Sequence, residues 1–269
     1  MTEPEHERAL LAVAEQAARA AAAELLPRFG HQQRGIRSKS SPTDLVSDAD
    51  VAAESAIRSV LAERRPDDAI LAEESGASGA GALRWIVDPL DGTINFLFGI
   101  PVFAVSIACE DRDGVLAGVV LDPVRDECFA ATRSGDPTLN GLPIRASRRD
   151  ELATALVATG FGYEAPVRAR QAEVVTRVLP RVRDIRRAGA AAIDLAWCAC
   201  SRYDAYYERG LHQWDRAAGV LIASRAGLAV RELKPDGELP AGVLVAPQAL
   251  IEELWGLVTG PLGGQRLAP

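Results

Sequence analysis

Several classes of protein require residues that this sequence has little of. The four cysteines among 269 residues show no C-x-x-C spacing, which argues against a zinc site and against a disulfide framework. We therefore expect them to be buried, apolar thiols. The three histidines, His6, His31 and His212, suggest no pairing of a nucleophile with a base. No apolar run approaches the roughly 20 residues of a membrane-spanning helix.

Positive charge is also scarce. The chain has 30 Lys and Arg residues against 37 Asp and Glu residues, and its net charge is −7. A nucleic acid or a membrane surface would favour a basic face, so neither is expected as a partner. The first eight residues, M-T-E-P-E-H-E-R, lack the basic segment of a signal peptide, and the expected location is cytoplasmic.

Hydrophobic residues make up 48% of the chain, enough for a sizeable core in one large α/β domain or two joined ones. Helices are predicted over residues 5–28, 49–63, 164–179, 189–200, 213–225 and 250–258. Strands are predicted over residues 69–72, 85–87, 102–110, 114–121, 127–132, 155–158, 203–207, 229–231 and 243–246. Residues 102–144 should form an antiparallel meander, while residues 31–41 and the glycine-rich stretch up to 81 should be loops.

The most informative stretch covers residues 84–101, R-W-I-V-D-P-L-D-G-T-I-N-F-L-F-G-I-P. A short buried strand is predicted to stop at Pro89, with Asp88 and Asp91 on either side of it. Gly92 and Thr93 then lead into a short helix. Carboxylates at a strand end can bind a hard cation, and free N–H groups at a helix start can bind an anion. The stretch therefore predicts a site that holds a cation and a phosphate together.

A second pair of acids, Glu73 and Glu74, follows the predicted strand 69–72. Acids at a strand end are usually solvated. Two neighbouring strands that both end in acids could instead form a metal cradle. Because the whole chain is acidic, an enzyme of this composition acting on phosphates must supply positive charge at the site itself, most simply as metal ions.

Four further features have more than one possible interpretation. Asp50 in S-D-A-D could cap a helix or support the site, and the two roles are compatible. Asp215 in the first turn of a helix could simply complement the helix dipole. The basic segment 181–187 could be a solvated edge or could flank a phosphate-bearing pocket. Residues 111–114, D-R-D-G, resemble a calcium loop but lack its later bidentate acid, so a hairpin turn is predicted there.

Taken together, these motifs resemble the inositol monophosphatase family of magnesium-dependent, lithium-sensitive phosphatases. Three segments carry the resemblance: residues 72–75 (A-E-E-S), 88–96 (D-P-L-D-G-T-I-N-F) and 214–219 (W-D-R-A-A-G). Further matches lie at residues 39–46, 120–123 and 204–208. The resemblance implies a layered α-β-α-β-α sandwich, with an N-terminal α+β part over residues 1–146 and a C-terminal α/β part over residues 147–269. It also implies a homodimer.

The resemblance further implies which residues bind metal. Glu73, Asp88 and the backbone carbonyl of Leu90 would bind a first Mg²⁺, and Asp88, Asp91 and Asp215 a second. Glu73 would also hold a third, weaker ion through water. The expected cofactor is therefore two or three Mg²⁺ ions.

The remaining implied roles concern the water and the substrate. Thr93, supported by Asp50, would orient the attacking water together with Glu73. The residues implied to face the phosphate or the alcohol are Asp91, Gly92, Thr93, Gly189, Ala190, Ala191, Glu208 and Asp215. The sequence departs from the family pattern mainly on the substrate side. Ala190 replaces a common hydroxyl residue, Ala72 a frequent glycine and Phe98 a common histidine. These changes remove no implied metal ligand.

The resemblance implies hydrolysis of a small polyol phosphate, with myo-inositol 1-phosphate first. Histidinol phosphate, fructose 1,6-bisphosphate and 3′-phosphoadenosine 5′-phosphate are the competing substrates for the same chemistry. A non-catalytic metal- or phosphate-binding protein on the same fold is the alternative from another class. A protein without activity would be free to lose acids, and every expected acid is present here.

Overall fold

The structure is a computed structural model that describes residues 2–31, 35–38 and 45–260. Within these residues, the helices are α1 (Glu3–Leu25), α2 (Asp48–Arg64), α3 (Thr93–Leu97), α4 (Ala165–Val178), α5 (Ala191–Ala199), α6 (Gln213–Arg225) and α7 (Ile251–Thr259). The first strands are β1 (Arg37–Ser38), β2 (Leu45–Val46), β3 (Ala69–Ala72), β4 (Gly76–Ser78), β5 (Arg84–Asp91), β6 (Ala104–Asp111), β7 (Gly114–Asp122) and β8 (Glu127–Thr132). The later strands are β9 (Thr138–Leu139), β10 (Leu142–Pro143), β11 (Leu156–Thr159), β12 (Asp184–Arg186), β13 (Ala205–Arg209), β14 (Ala229–Leu233) and β15 (Gly242–Ala246).

A large sheet of eight strands has the order β10-β9-β8-β7-β6-β5-β3-β4. The strands from β5 to β10 pair antiparallel in chain order, which confirms the predicted meander. Asn140 and Gly141, both with positive φ, form the tight turn between β9 and β10. β3 is the exception, because it runs parallel to its neighbour β5.

A smaller sheet of five strands has the order β12-β11-β13-β15-β14. β11 pairs parallel with β12 and β13, whereas β13, β15 and β14 pair antiparallel. The basic segment 181–187 contributes β12 at the edge of this sheet, as the solvated-edge interpretation expected.

Helices and sheets alternate in five layers. α1 and α2 pack on one face of the large sheet, and α5 and α6 pack between the two sheets. α4 and α7 cover the outer face of the small sheet. Each of the four interfaces between adjacent layers contains one cluster of buried hydrophobic side chains. The α-β-α-β-α sandwich is confirmed, while the division at residue 146 stays a prediction.

The alternation of side chains along β5 shows how the strands serve two layers. Trp85 and Val87 are buried in the cluster with α1 and α2, whereas Ile86 lies in the cluster with α5 and α6. Successive strand residues point to opposite faces, so a continuous apolar run is what a sheet covered on both faces requires.

Three local predictions were wrong. β5 continues through Pro89 to Asp91, because the ladder is irregular there and the missing proline N–H costs little. Part of the glycine-rich loop forms β4, which pairs with β3. Residues 37–38 of the predicted loop 31–41 pair with Leu45–Val46. The rest of that stretch at 32–34 and 39–41, the family match at 39–44 and the tail from 261 lie outside the described residues.

Two expectations from composition hold in the described part of the chain. All four cysteines are free thiols, and Cys109, Cys128 and Cys198 are buried. None of the helices between residues 2 and 260 combines the length and the apolar character needed to cross a bilayer.

Candidate active site

The two acidic strand ends lie side by side in the large sheet. β3 and β5 run parallel, with Ala72 opposite Val87. The Glu73 N–H donates to the Val87 carbonyl at 3.1 Å, so the residue after β3 stays in register with β5. Asp88 follows Val87 directly, and its carboxyl group lies close enough to that of Glu73 for the charge of Glu73 to raise the pKa of Asp88. The acids of neighbouring strands therefore meet, as the sequence suggested.

A bulge in β5 brings the two acids of D-P-L-D to one cavity. Asp88 pairs with Ser106 and Asp91 with Ala104, so three steps along β5 face two steps along β6. An uninterrupted strand would place residues 88 and 91 on opposite faces of the sheet. The bulge turns the side chains of Asp88 and Asp91 to the same side of the strand, so both line the same cavity. The Leu90 N–H donates to Asp88 Oδ1 at 3.0 Å and fixes that carboxyl group.

The turn after β5 requires glycine. Gly92 has φ +91°, and a Cβ there would lie 3.0 Å from the Val102 carbonyl oxygen and 3.2 Å from Ala190 Cβ. Thr93 begins α3, and its Oγ1 lies 3.0 Å from Asp50 Oδ1 and 3.0 Å from the Leu90 carbonyl oxygen. Because the hydroxyl has one hydrogen, it donates to one of these two acceptors at a time.

Asp50 makes the contacts that both of its predicted roles would require, while its role in the site stays a prediction. Its Oδ2 accepts hydrogen bonds from the N–H and the hydroxyl of Ser47, each at 2.8 Å, and so completes the capping box of α2. Its Oδ1 accepts from Thr93 at 3.0 Å. The side chain is buried behind the cavity wall, and its hydrogen bond with Thr93 connects it to the site.

The start of α5 forms a second wall. The Ala192 N–H donates to Asp91 Oδ2 at 2.6 Å, so a helix N-terminus binds this carboxylate. Gly189, at φ +91°, and Ala191 line the cavity. Ala190 is buried against Gly92 and does not line it. Its side chain therefore fits packing better than the substrate contact implied by the resemblance.

The W-D-R-A-A-G segment contributes one acid to the cavity, and its small residues allow α6 to pack closely against its neighbours. Asp215 lines the cavity from the first turn of α6, where its Oδ2 accepts the His212 N–H at 2.6 Å. A Cβ at Gly118 would lie 2.9 Å from Ala218 Cα, and one at Gly219 would lie 2.7 Å from Leu195 Cβ. The small residues of the segment therefore let α6 approach both β7 and α5, and this approach places Asp215.

Glu208 lies near the end of β13 and faces the cavity from the small sheet. The Tyr206 hydroxyl donates to Glu208 Oε2 at 2.6 Å and holds the carboxyl group in place. The site is thus built from both sheets and from the layer between them.

These groups line one cavity of about 280 Å³. Of the predicted site residues, the following ten line it: Glu73, Asp88, Leu90, Asp91, Gly92, Thr93, Gly189, Ala191, Glu208 and Asp215. Asp50 and Ala190 lie behind its wall. The structure therefore brings the predicted residues together, while their roles remain predictions.

Sequence reasoning missed one wall, the loop that contains Phe161, Gly162 and Tyr163. Gln171 of α4 accepts the Gly162 N–H at 2.9 Å and anchors this loop. The loop follows the carboxyl end of β11, which is parallel to β13, and ligands of α/β sheets commonly bind beyond such strand ends. The position of this loop directly after a predicted strand was the feature of the sequence that could have identified it as a wall of the site. Arg187 also lines the cavity, in agreement with the second interpretation of the basic segment.

Burial and mutual repulsion raise the pKa values of these acids. The pKa of Asp88 lies well above its ordinary value because of burial first, and then because of the charges of Glu73 and Asp91. Burial raises the pKa of Asp91 to about 7, although the Ala192 N–H opposes the rise. The pKa of Asp215 is raised well above its ordinary value by burial and by the charge of Asp91.

Glu208 shows the same effect on the substrate side. Burial raises its pKa to about 7, while the Tyr206 hydroxyl and the charge of Arg187 act in the opposite direction. Carboxyl groups crowded in this way take up protons unless a cation neutralises them.

The chemistry of the donors fits Mg²⁺. The set consists of carboxylate oxygens and one backbone carbonyl, the hard oxygen ligands that this ion prefers. Among the described residues, no group of three or more His, Cys, Asp or Glu side chains is arranged to hold a metal ion as it stands. Hydrogen bonds within the protein hold these carboxyl groups at present, as at Asp91 and Asp215. An ion would have to draw them together.

Comparison with known proteins identifies relatives along nearly the whole chain. Residues 6–266 match the model of the inositol monophosphatase family. The inositol-1-monophosphatase SuhB of Mycobacterium tuberculosis is 42% identical, over 94% of this chain and 95% of that protein. The Nus factor SuhB of Pseudomonas aeruginosa is 45% identical, over 76% of this chain and 78% of that protein.

Solved structures agree. The extragenic suppressor protein SuhB of Bartonella henselae superposes with a TM-score of 0.86 at 35% identity, over 94% of this chain and 99% of that one. The inositol monophosphatase family is generally metal-dependent, consistent with the oxygen donors around the cavity. The chain therefore belongs to the inositol monophosphatase family and is a phosphatase.

Proposed function

We propose that this chain is a magnesium-dependent phosphomonoesterase of small polyol phosphates, with myo-inositol 1-phosphate as the first substrate. One observation carries the proposal: acids at positions 73, 88, 91 and 215 line a single cavity although they come from the segment after β3, from β5 and from α6. Relatives named inositol-1-monophosphatase that are 42% identical support the choice of substrate.

In this proposal the acids divide between the ions as the resemblance implied. Glu73, Asp88 and the Leu90 carbonyl would hold one Mg²⁺, and Asp88, Asp91 and Asp215 a second, with a weaker third beside Glu73. Bound Mg²⁺ supplies a lower pKa for the attacking water and charge neutralisation for the leaving alkoxide.

The remaining residues orient the reactants. Gly92 and Thr93 offer their N–H groups to the phosphate at the cavity wall. The Thr93 hydroxyl, held between Asp50 and the Leu90 carbonyl, orients the water together with Glu73. No Ser or Cys lines the cavity within the described residues, so the proposal has water attack the phosphorus directly. Trapping a phosphoryl-enzyme intermediate would contradict it.

The alcohol side of the cavity supports a small, polar substrate. Glu208 faces it with a carboxyl group that can accept hydroxyl hydrogen bonds, and Asp215 and Gly189 lie nearby. The volume of about 280 Å³ is below the roughly 300–1,000 Å³ of sites that take drug-sized ligands.

Phosphate release from the four candidate esters, measured at fixed Mg²⁺ and again with EDTA, tests this function. We expect the highest kcat/KM for myo-inositol 1-phosphate and a loss of turnover with EDTA. A clear preference for another ester would overturn the substrate. The absence of hydrolysis of any ester would favour the non-catalytic alternative. One relative is named a Nus factor, so transcription is the first process in which to look for such a role.

A further inference from the structure

The segment that follows β3 is fixed from outside the cavity by one buried acid, Glu54 of α2. Its Oε2 accepts the N–H of Glu74 at 2.9 Å, and its Oε1 accepts the hydroxyl of Ser75 at 2.5 Å. Glu74 and Ser75 are the two residues after Glu73. Glu54 therefore fixes the backbone immediately beyond the acid that the proposed function assigns to water and metal.

Glu54 is itself held firmly. Its side chain is only 5% exposed, and Arg58, one turn further along α2, donates to its Oε1 at 3.0 Å. The Arg58 guanidinium also donates to the hydroxyls of Ser75 and Ser78. A buried carboxylate is tolerated only when it is paired and hydrogen-bonded, and each of these donors meets that need.

The same helix, α2, also contacts Thr93, which in the proposed function orients the water together with Glu73. Asp50 and Glu54 are four residues apart, so they lie on one face of α2 about 6 Å apart along its axis. Asp50 accepts a hydrogen bond from Thr93, and Glu54 accepts from the residues beyond Glu73. A single rigid turn of helix therefore spans the supports of both groups.

We propose that Glu54 is a positioning residue that sets the place of Glu73 relative to Thr93, and through it the binding of the divalent cation. This inference rests on the proposed function, because it uses the same site. Glu54 does not line the cavity, so it contacts neither substrate nor ion and acts only through the segment 73–75.

Glu54→Gln is the direct test. Glutamine keeps the size of the side chain but replaces one acceptor oxygen with an NH₂ group, which faces the N–H of Glu74 or the donors of Ser75 and Arg58. The control for substitution of a buried helix acid is Glu7→Gln, although Glu7 Oε1, unlike either oxygen of Glu54, has no hydrogen-bond partner among the described residues. Glu7 is also a buried helix acid that accepts a backbone N–H and a serine hydroxyl, both from Ser134, at 2.9 and 2.5 Å. It lies outside the cavity lining.

Two readouts decide between positioning and a general loss of structure. Mn²⁺ binding, followed by electron paramagnetic resonance, reports the cation site without turnover, because carboxylate sites for Mg²⁺ also take Mn²⁺. We expect Glu54→Gln to weaken Mn²⁺ binding or lower kcat by about 10- to 100-fold, with KM for the ester changed less than threefold. Glu7→Gln should leave both values within twofold of the wild type.

Equal losses in Glu54→Gln and Glu7→Gln, or unchanged Mn²⁺ binding and kcat in Glu54→Gln, would overturn the inference. If Glu54→Gln does not fold, Ser75→Ala takes its place, since it removes one donor to Glu54 and leaves the acid buried. We expect Ser75→Ala to weaken Mn²⁺ binding several-fold at an unchanged Tm, and unchanged binding would count against the inference. If the wild type binds Mn²⁺ but hydrolyses no ester, the proposed function is refuted. The inference about Glu54 is then still tested by the Mn²⁺ binding of the variants.

Discussion

Three acids of the cavity each accept a hydrogen bond from a backbone N–H group. The Leu90 N–H binds Asp88, the Ala192 N–H binds Asp91, and the His212 N–H binds an oxygen of the acid at position 215. Each carboxyl group thus has a fixed direction before any cation arrives. Because no group of three such acids among the described residues is arranged to hold an ion as it stands, the proposed cation would have to draw these carboxyl groups together against that fixed direction.

Asp91→Asn should abolish turnover and leave the fold intact. The asparagine oxygen can still accept the Ala192 N–H, while the charge that a second Mg²⁺ requires is lost. We expect kcat/KM for inositol 1-phosphate to fall at least about 100-fold. The free energy of unfolding in EDTA should not decrease, because the substitution removes an acid whose pKa is raised to about 7 by burial.

Asp204→Asn is the matched control for Asp91→Asn. Asp204 is also buried and accepts a backbone N–H, that of Leu156 at 2.8 Å, and it pairs with Arg149 at 3.0 Å away from the cavity. Its substitution should cost about 1–3 kcal/mol of stability and leave kcat unchanged. Full activity in Asp91→Asn would contradict its role as a ligand.

At the scale of elements, α6 depends on a glycine in the strand beneath it. Gly118→Ala should destabilise the protein by about 1–3 kcal/mol, because the new methyl group would lie 2.9 Å from Ala218 Cα and push the helix off β7. Activity should fall as well, since the displaced helix carries Asp215. Urea unfolding and kcat measure the two effects.

Gly256→Ala in α7 is the comparison for Gly118→Ala. No atom lies within 4 Å of the Cβ position at Gly256, so the alanine should stabilise the helix by up to about 1 kcal/mol. If both variants had the same stability, the close approach of α6 to β7 would not matter.

Much of this architecture could be predicted from the sequence, because the site motifs combine local signals. The capping box that contains Asp50 predicted the start of α2. The acids at the ends of β3 and β5 predicted that these two strand ends lie close together. The bulge at Pro89 could not be predicted, because it depends on the register with β6, which is a long-range pairing. The wall at Phe161 escaped detection because its residues carry no ionisable signature. No local pattern distinguishes Glu54 from other helix acids, because its partners Glu74 and Ser75 lie 20 and 21 residues further along the chain.

At the scale of the whole molecule, stability without cations should depend on pH. The folded state keeps protons on Glu208 and Asp194, whose pKa values are raised by burial, to about 7 for Glu208. Neither oxygen of Asp194 has a hydrogen-bond partner among the described residues. The unfolded chain releases these protons near pH 4 to 4.5. The free energy of unfolding should therefore fall as the pH rises above about 4.5, and the contribution of Glu208 to this fall should end near pH 7.

Urea unfolding in EDTA between pH 5 and pH 8 measures this dependence. Acids with lowered pKa values, such as Asp111 and Glu127, act only below about pH 4.5 and do not interfere. Glu208→Gln cannot ionise, so it should be more stable than the wild type at pH 8, by up to about 3 kcal/mol, and closer to it at pH 5. Parallel curves for the two proteins would exclude Glu208 as a source of the effect.

The cavity draws its walls from both sheets, and this arrangement has a consequence for biosynthesis. The acids at 73, 88 and 91 leave the ribosome well before Glu208 and Asp215 have been translated. A half-made chain can therefore fold part of its first sheet, but it has only one side of a reaction chamber. On the proposed function, the newborn polypeptide stays inert toward the phosphate esters around it until β13 and α6, which carry Glu208 and Asp215, have been made and have folded.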